Sequence, residues 1–504
     1  MLREAKMRRY NLLGRSAKIA ILALATTFAA IPSVFANGAA EAESAKEVKL
    51  IWYYPNTEQP DQAVVFEAAN KIIKAKIGAT VDFRPIDWGS YDQKMLVKSA
   101  ASEEYDLAFT ANWINNYYQN ITKGAFIPLD DLLMKYAPKL KASIPEKIWA
   151  AAKVNGKVYG ILNYQISAMT NGLWFREDLT KKYGFDFKKV KKLQDVEPFL
   201  AQVKQGEPGM IPIVWHNHPG KMVGFVVTSM GFDEIGGRAI PGVIRLSDAG
   251  ATVLNQYESK EFRDYITLAN DWYKKGYISK DALSVRDMIP EIKAGRVASG
   301  FEGNYKPGGD IEESSAWGIK VTAMPIGNPV LLTSSIISTM HGVSTTSKNP
   351  EKAVQFMELM NTDIDLYNLV TFGIEGTHYK KTGEDTIEIA PGSKYNPGTP
   401  WMFASTFNAY RLPGQPADVW TATKKINMEA IPSPLLGFSF DPEPVNSELA
   451  QCKSVVDEYL PGLECGAVDP VVVLPQFLDK LEKAGSKKLM AEMQRQIGVW
   501  KSGK

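Results

Sequence analysis

The sequence predicts an α/β protein whose N-terminal part forms a largely parallel sheet, and three observations carry that reading. Apolar runs and helix-period stretches alternate from Glu47 to Asn120 in the order strand, helix, strand, helix, strand. The first and third runs end abruptly in polar-aromatic clusters, where open α/β sheets place their ligands. At 504 residues the chain is also too long for one core, so two or three domains are expected.

The N-terminus reads as a targeting segment. Arg3, Lys6, Arg8, Arg9, Arg15 and Lys18 precede the apolar "IAILALATTFAAI", and Val34-Phe35-Ala36 supplies a small-residue cleavage pattern. Residues 1–36 are therefore expected to be a signal peptide cleaved after Ala36, since the apolar core is short for a bilayer span. A retained membrane anchor is the alternative. These residues hold six of the 58 Lys/Arg and one of the 56 Asp/Glu, so the remaining 468 carry a formal net charge of −3. No basic face calls for nucleic acid or an anionic membrane. A small-and-charged leader, "GAAEAESAKE", follows.

"EVKLIWYYPN" is the first strand and "DQAVVFEAANKIIKAKIG" a helix, with Val64, Val65, Ala68, Ile72 and Ile73 near helical spacing and Gly78 as its stop. "ATVDFRPID" and "SYDQKMLVKSAASEE" repeat the pair, and "YDLAFTANWINNYYQN" contains the third strand. Tyr54 and Asn56 thus fall beyond the first strand, and Thr110, Asn112 and Trp113 beyond the third. A buried strand gives rigidity while its exit loop presents chemistry, so a binding surface is predicted there. The competing reading has Trp113 packing the next helix.

"NGKVYG" signals a hairpin, and the long apolar stretch after it can cross between domains. "QDVEPFLAQVKQG", "MIPIVWHNHPG" and "EFRDYITLANDWYKKGYI" build a second α/β unit. "EIKAGRVASGFEGNYKPGG" is a helix end, a short strand and a Gly-rich polar turn. A second long extended piece leads to a helix capped at Ser347/Asn349, with Pro350 in its first turn. Beyond about Pro400 the chain turns aromatic and then mainly helical.

Cys452 and Cys465 lie close in sequence in an exported chain, which predicts a disulfide staple. The alternative is two buried thiols that never meet. His216-x-His218 lacks a third ligand in register, so no metal is expected, and no cofactor motif is present. No G-x-S-x-G, P-loop or H-E-x-x-H occurs, so the common hydrolase, nucleotide and metalloprotease readings lack support.

"YDLAFTANW", "NGKVYGI…LWFREDLTKKYG", "AGRVASGFEGNY", "AMPIGNP" and "HGVSTTSKNPEKAVQFMELM" together resemble extracellular solute-binding proteins of family 1, the receptors of sugar ABC importers. "TFGIEGTHY" and the tail from Leu474 to Lys501 resemble the large lipoprotein-type branch, which carries an extra C-terminal domain. The chain departs from many members in having no lipidated N-terminal Cys. The resemblance implies a two-lobe periplasmic-binding-protein (type II) fold with hinge strands and a helical C-terminal extension. It divides the chain into lobe 1 (47–165), lobe 2 (166–325), a return to lobe 1 (326–400), and an aromatic and C-terminal helical region (401–504). It implies a periplasmic or extracytoplasmic monomer that binds a carbohydrate, an oligosaccharide first of all, and engages ABC permease subunits without catalysis.

Thr110, Trp113 and Tyr305 match family contact positions, and Tyr164, Gln165 and Met169 lie on a strand lining the cleft in relatives. Sugar sites pair flat rings with amides and carboxylates. On that ground Trp88, Trp215, His216, Glu302, Asn304, His341, Trp401 and Phe403 join the candidates. Glu302 and Glu375 could hold hydroxyls or serve as turn partners. A secreted carbohydrate-active enzyme, which needs two carboxylates facing each other, and a receptor for peptide or another small solute are the alternatives.

Overall fold

The computed structural model describes residues 48–215, 227–285 and 288–503; the predicted signal peptide and leader lie outside these, as do His216 and His218. β1 (Val48–Pro55) pairs in parallel with β2 (Ala79–Ile86) and β3 (Leu107–Thr110), and helices Gln62–Ile77 and Tyr91–Ala100 make the connections. Gly78 ends the first helix in the left-handed region (φ 63°), its N–H bonding the carbonyl of Lys74. β4 (Lys153–Val154) and β5 (Lys157–Val158) form a hairpin whose turn residues Asn155 and Gly156 both have positive φ. β6 (Gly160–Leu162) completes the outward pass through lobe 1.

Residues 163–167 then carry the chain across to lobe 2, where β7 (Ala168–Arg176) begins. β8 (Phe232–Glu234), β9 (Gly242–Arg245) and β10 (Val253–Asn255) form an antiparallel meander. β11 (Ser299–Glu302) and β12 (Val321–Leu331) flank β7 on either side, both antiparallel to it. The chain returns through residues 332–339 to β13 (Met340–Val343), which inserts between β3 and β6, antiparallel to both. The lobe-1 sheet is therefore β2-β1-β3-β13-β6. Its first three strands are parallel, while β13 runs the other way because the chain re-enters from the opposite lobe.

Helix Pro350–Thr362 follows, with Asn349 at its N-cap position and Pro350 in its first turn. β14 (Tyr379–Lys381) and β15 (Ile387–Ile389) form a small hairpin. Helix Val419–Glu429 then makes a third crossing, and β16 (Ile431–Pro432) adds to β12 in the lobe-2 sheet, ordered β11-β7-β12-β16.

One buried side chain ties the crossings together. Asn427 Oδ1 accepts from the N–H groups of Ser167 (2.7 Å) and Ala168 (3.1 Å), and its Nδ2 donates to Gln165 O (2.7 Å). The Ser335 hydroxyl, on the second crossing, donates to Ser167 O (2.6 Å).

Each lobe has its own main core, and a smaller third cluster gathers around Trp174, Ile292 and Val297. One main core gathers around Trp52, Phe109, Trp149 and Tyr367; the other around Phe175, Trp215, Tyr257 and Trp272. The C-terminal helices Asn446–Glu464, Pro470–Lys483 and Ser486–Ser502 share the second core through Leu460, Phe477, Leu489 and Met493. They are therefore part of lobe 2 rather than an appendage. Asn270 Nδ2 donates to the carbonyls of Gly466 (2.8 Å) and Val468 (2.9 Å), fastening the turn between two of them.

The expected disulfide is corrected. Cys452 sits within helix Asn446–Glu464 and Cys465 at its C-cap, both as buried free thiols. Thirteen residues of helix at 1.5 Å each separate them by about 20 Å, far beyond the 7 Å or so a disulfide allows.

Candidate ligand-binding site

Three indoles meet at the C-terminal ends of the lobe-1 strands. Trp88 comes from the loop after β2, Trp113 from the loop after β3, and Trp401 from the helical turn Pro400–Phe403. Trp88 and Trp113 stack with ring centroids 6.2 Å apart and planes 17° off parallel. Trp401 lies 6.1 Å from Trp88 and 6.3 Å from Trp113, both tilted, and Phe109 underlies Trp113 and Trp401. Trp113 is 50% exposed, which rules out the reading in which it only packs the following helix.

Local bonding holds this platform. Trp113 Nε1 donates to Ser338 O (2.8 Å), and the Asn112 N–H donates to Ile337 O, so the loop is bound to the second crossing. Asn115 takes a positive φ of 42°, stabilised by its Nδ2 bond to Phe109 O and by Asp92 accepting from its N–H. Asn163, at the start of the first crossing, donates to Trp401 O (3.1 Å) and Met402 O (2.7 Å) and so fixes Trp401. The side-chain oxygens of Asn112 and Asn163 are buried without a partner. Asn163 escapes sequence reading because a lone Asn in an apolar strand carries no pattern.

From the platform the first crossing leads to a second wall. Gln165, half-exposed, donates to Thr339 Oγ1 (2.8 Å), and Met169 is half-buried on β7. Thr170 O then accepts the N–H of Tyr305 (2.7 Å), and Thr170 N–H reaches Asn304 Oδ1 (3.4 Å). Asn163 and Thr170 are seven residues apart, about 23 Å of extended chain at most. Residues 301–314, including Glu302, Asn304 and Tyr305, are half-buried without interruption, as a cleft wall would be.

Seven of the sequence candidates are structural instead. Tyr54 and Phe403 are buried in the lobe-1 core, their rings 5.5 Å apart. Thr110 is fully buried and donates to Asn115 O. Asn56 is buried with both ends of its amide used, Nδ2 toward Thr399 Oγ1 and Oδ1 toward Thr57 N–H. Tyr164 is buried edge-on to Phe407, 4.8 Å between centroids.

Trp215 stacks on Tyr265 at 5.4 Å inside the lobe-2 core. His341 is fully buried between Trp52 Nε1, which donates to its Nδ1 (3.2 Å), and Met402 O (2.9 Å from Nε2). That pairing requires the proton on Nε2, and burial pushes its pKa down to about 3. In each case an aromatic or polar residue at a strand end satisfies the core rather than the surface. His216 lies outside the described residues.

The candidate site thus comprises Trp88, Trp113 and Trp401 with Asn112, Gln165 and Met169 near the lobe-1 platform, and Glu302, Asn304 and Tyr305 on the lobe-2 stretch. Flat rings beside amides and carboxyls suit a ligand with apolar faces and polar edges. Among the described residues no group of three or more His, Cys, Asp or Glu could hold a metal ion.

Over 494 residues the chain is 28% identical to a carbohydrate ABC transporter substrate-binding protein of Streptococcus pneumoniae, covering 95% of this chain and 96% of that one. The crystal structure of the N-glycan transport solute-binding protein NgtS from Streptococcus pneumoniae superposes with a TM-score of 0.81 at 26% identity, over 90% of this chain and 98% of that one. The alginate-binding protein AlgQ2, at 16% identity and a TM-score of 0.62, covers 90% of this chain and 99% of its own and shares the two-lobe fold. Residues 434–502 match a domain of unknown function (DUF3502). Residues 54–364, well over half the chain, match the model of the bacterial extracellular solute-binding proteins, and this protein belongs to that family.

Proposed function

We propose that this protein is the receptor of an ABC importer, capturing an oligosaccharide between its lobes and presenting it to membrane permease subunits. The observation that carries the reading is the Trp88–Trp113–Trp401 platform, with Trp113 half-exposed. Sugar rings offer C–H faces to such indoles. NgtS has been crystallised with Man5GlcNAc, at 27% identity over 91% of this chain, so oligosaccharides of mannose and N-acetylglucosamine are the first ligands to test.

The protein acts without catalysis. The family it belongs to is one of solute-binding proteins, and the 28% identical relative is a substrate-binding protein rather than a hydrolase. Residues 1–36 act as a cleaved signal peptide, delivering a monomer outside the cytoplasm. Among the described residues no helix is long and apolar enough to cross a membrane.

The test is titration calorimetry of residues 37–504 against such oligosaccharides, with amino acids and peptides as controls, alongside product analysis after long incubation. Binding of the glycans alone, with no cleavage, is expected. Binding of peptides alone would keep the two-lobe receptor and replace its substrate; cleavage would make it an enzyme.

A further inference from the structure

Three consecutive residues at the lobe-1 end of the second crossing each accept a bond from a candidate ligand residue. Ile337 O takes the Asn112 N–H (3.2 Å), Ser338 O takes Trp113 Nε1–H (2.8 Å), and Thr339 Oγ1 takes Gln165 Nε2–H (2.8 Å). Trp113 thus reaches solvent with its ring while its N–H is committed to the protein. A carbonyl of the crossing, and not only its own loop, sets the angle of the indole.

Ser338 is itself held from the far side. Its hydroxyl donates to Ser335 O (2.7 Å), and the Ser335 hydroxyl, only 5% exposed, donates to Ser167 O (2.6 Å) on the first crossing. The Ser167 N–H in turn donates to Asn427 Oδ1 (2.7 Å) on the third crossing. Four hydrogen bonds of 2.6 to 2.8 Å, all within the range of good bonds, therefore lead from an exposed indole to the junction of the three crossings.

The turn that carries Ser335, Thr333–Ile336, is gripped from both lobes. Ile336 and Ile337 are buried in the lobe-1 core. Thr333 Oγ1 donates to Leu435 O (3.2 Å) and accepts from the Gly437 N–H (2.8 Å), and Leu435 and Phe438 are buried in the lobe-2 core. Within the turn, Ile336 N–H bonds Leu332 O and Ile337 N–H bonds Thr333 O. Rotation of this turn against lobe 1 would carry Ser338 O with it and swing the indole.

We propose that Ser335 and Ser338 are positioning residues for ligand capture, which hold the Trp113 indole at its stacking angle beside Trp88 and tie that angle to the junction of the crossings. This rests on the carbohydrate reading above. Neither serine touches the ligand; both act through the Trp113 N–H. A sugar ring seated on the indole is then felt by the crossings, and the geometry of the platform depends on the angle between the lobes. A purely structural role, in which the hydroxyls only satisfy the carbonyls of a turn, would lower the melting point and leave the indole angle as it is.

The test uses residues 37–504 carrying Ser338→Ala or Ser335→Ala, each with Trp113 intact and each combined with Trp113→Phe. Phenylalanine keeps a flat ring but has no N–H to donate. Titration with a mannose/N-acetylglucosamine oligosaccharide closes a double-mutant cycle, the direct measure of coupling along such a path. Ser338→Ala should weaken binding at least about threefold with Trp113 present and less than about 1.5-fold beside Trp113→Phe, the non-additivity of residues in one hydrogen-bond network. Equal losses in the two backgrounds would overturn the proposal. Ser338 is half-buried and gives up one bond, so Ser338→Ala carries the cycle alone if the buried Ser335→Ala fails to fold.

The ligand-free protein offers a second readout. Three indoles within 6.3 Å of one another couple their ultraviolet transitions, so circular dichroism reports their mutual angles. Ser338→Ala should change that signal with Trp113 present and leave it unchanged beside Trp113→Phe. A changed signal in a protein whose wild type binds no sugar would locate the failure in the carbohydrate reading; an unchanged signal would locate it in the positioning.

Discussion

Trp113 is the side chain on which binding should depend most. It is the most exposed of the three indoles and is held by its own Nε1 bond, so truncation removes ligand contact with little effect on the core. Trp113→Ala should weaken glycan binding by roughly 10- to 30-fold, about 1.4 to 2 kcal/mol, the range of an aromatic hot spot. Calorimetry reads this directly, while the melting point without ligand should move little. His341 makes the opposite case. It is neutral and buried, with a folded pKa depressed to about 3 against an unfolded value near 6.5. The unfolded chain then binds the extra proton, so this residue costs stability progressively as pH falls from about 6.5 toward 3. His341→Gln, which cannot titrate, should flatten that decline in melting point; an unchanged slope would mean other groups set it.

At the scale of elements, the C-terminal helices decide more than their place in the chain suggests. Gly466, in the turn after helix Asn446–Glu464, has φ 73°, and a Cβ there would stand 2.1 Å from Ala269 O. Gly466→Ala should therefore lower stability by about 3 kcal/mol or more, since backbone must move. Thermal unfolding should show that loss in lobe 2, with the tryptophan platform of lobe 1 spared. The two cysteines of this region are apart and buried, and burial pushes both thiols up to about 11. Neither should react with a thiol reagent in the native state, both should react on unfolding, and reductant should leave the melting point unchanged. One unreactive pair in the unfolded oxidised protein would mean that a bridge forms after all.

For the whole molecule the decisive feature is the junction of three crossings. A two-lobe receptor works by shifting an open–closed equilibrium, and its hinge must bend without coming apart. Asn427 ties the third crossing to the first through three hydrogen bonds. Asn427→Ala would take this partner from two buried N–H groups and leave Gln165 O only the longer bond from Ser167 Oγ, a cost of roughly 2 to 4 kcal/mol. It should also blunt the compaction that ligand produces in small-angle scattering. Compaction equal to that of wild type would show that the bend lies elsewhere.

The sequence by itself determined the α/β alternation, the long extended stretches at β7 and β12, and the helix punctuation at Gly78 and Pro350, though not the helical turn Thr333–Ile336 within the second crossing. These rest on local periodicity and on turn chemistry that neighbours do not override. It also singled out Trp88, Trp113, Trp401, Glu302, Asn304 and Tyr305. It could not separate them from Tyr54, Thr110, His341 and Phe403, because an aromatic or polar residue at a strand end faces either cleft or core, and side-chain direction is set by the register of partners far along the chain. For the same reason only the tertiary structure decided that the C-terminal helices complete lobe 2 and that 13 residues of helix hold the cysteines apart. Contacts between distant segments exist only after the two cores have closed, and no local pattern encodes them.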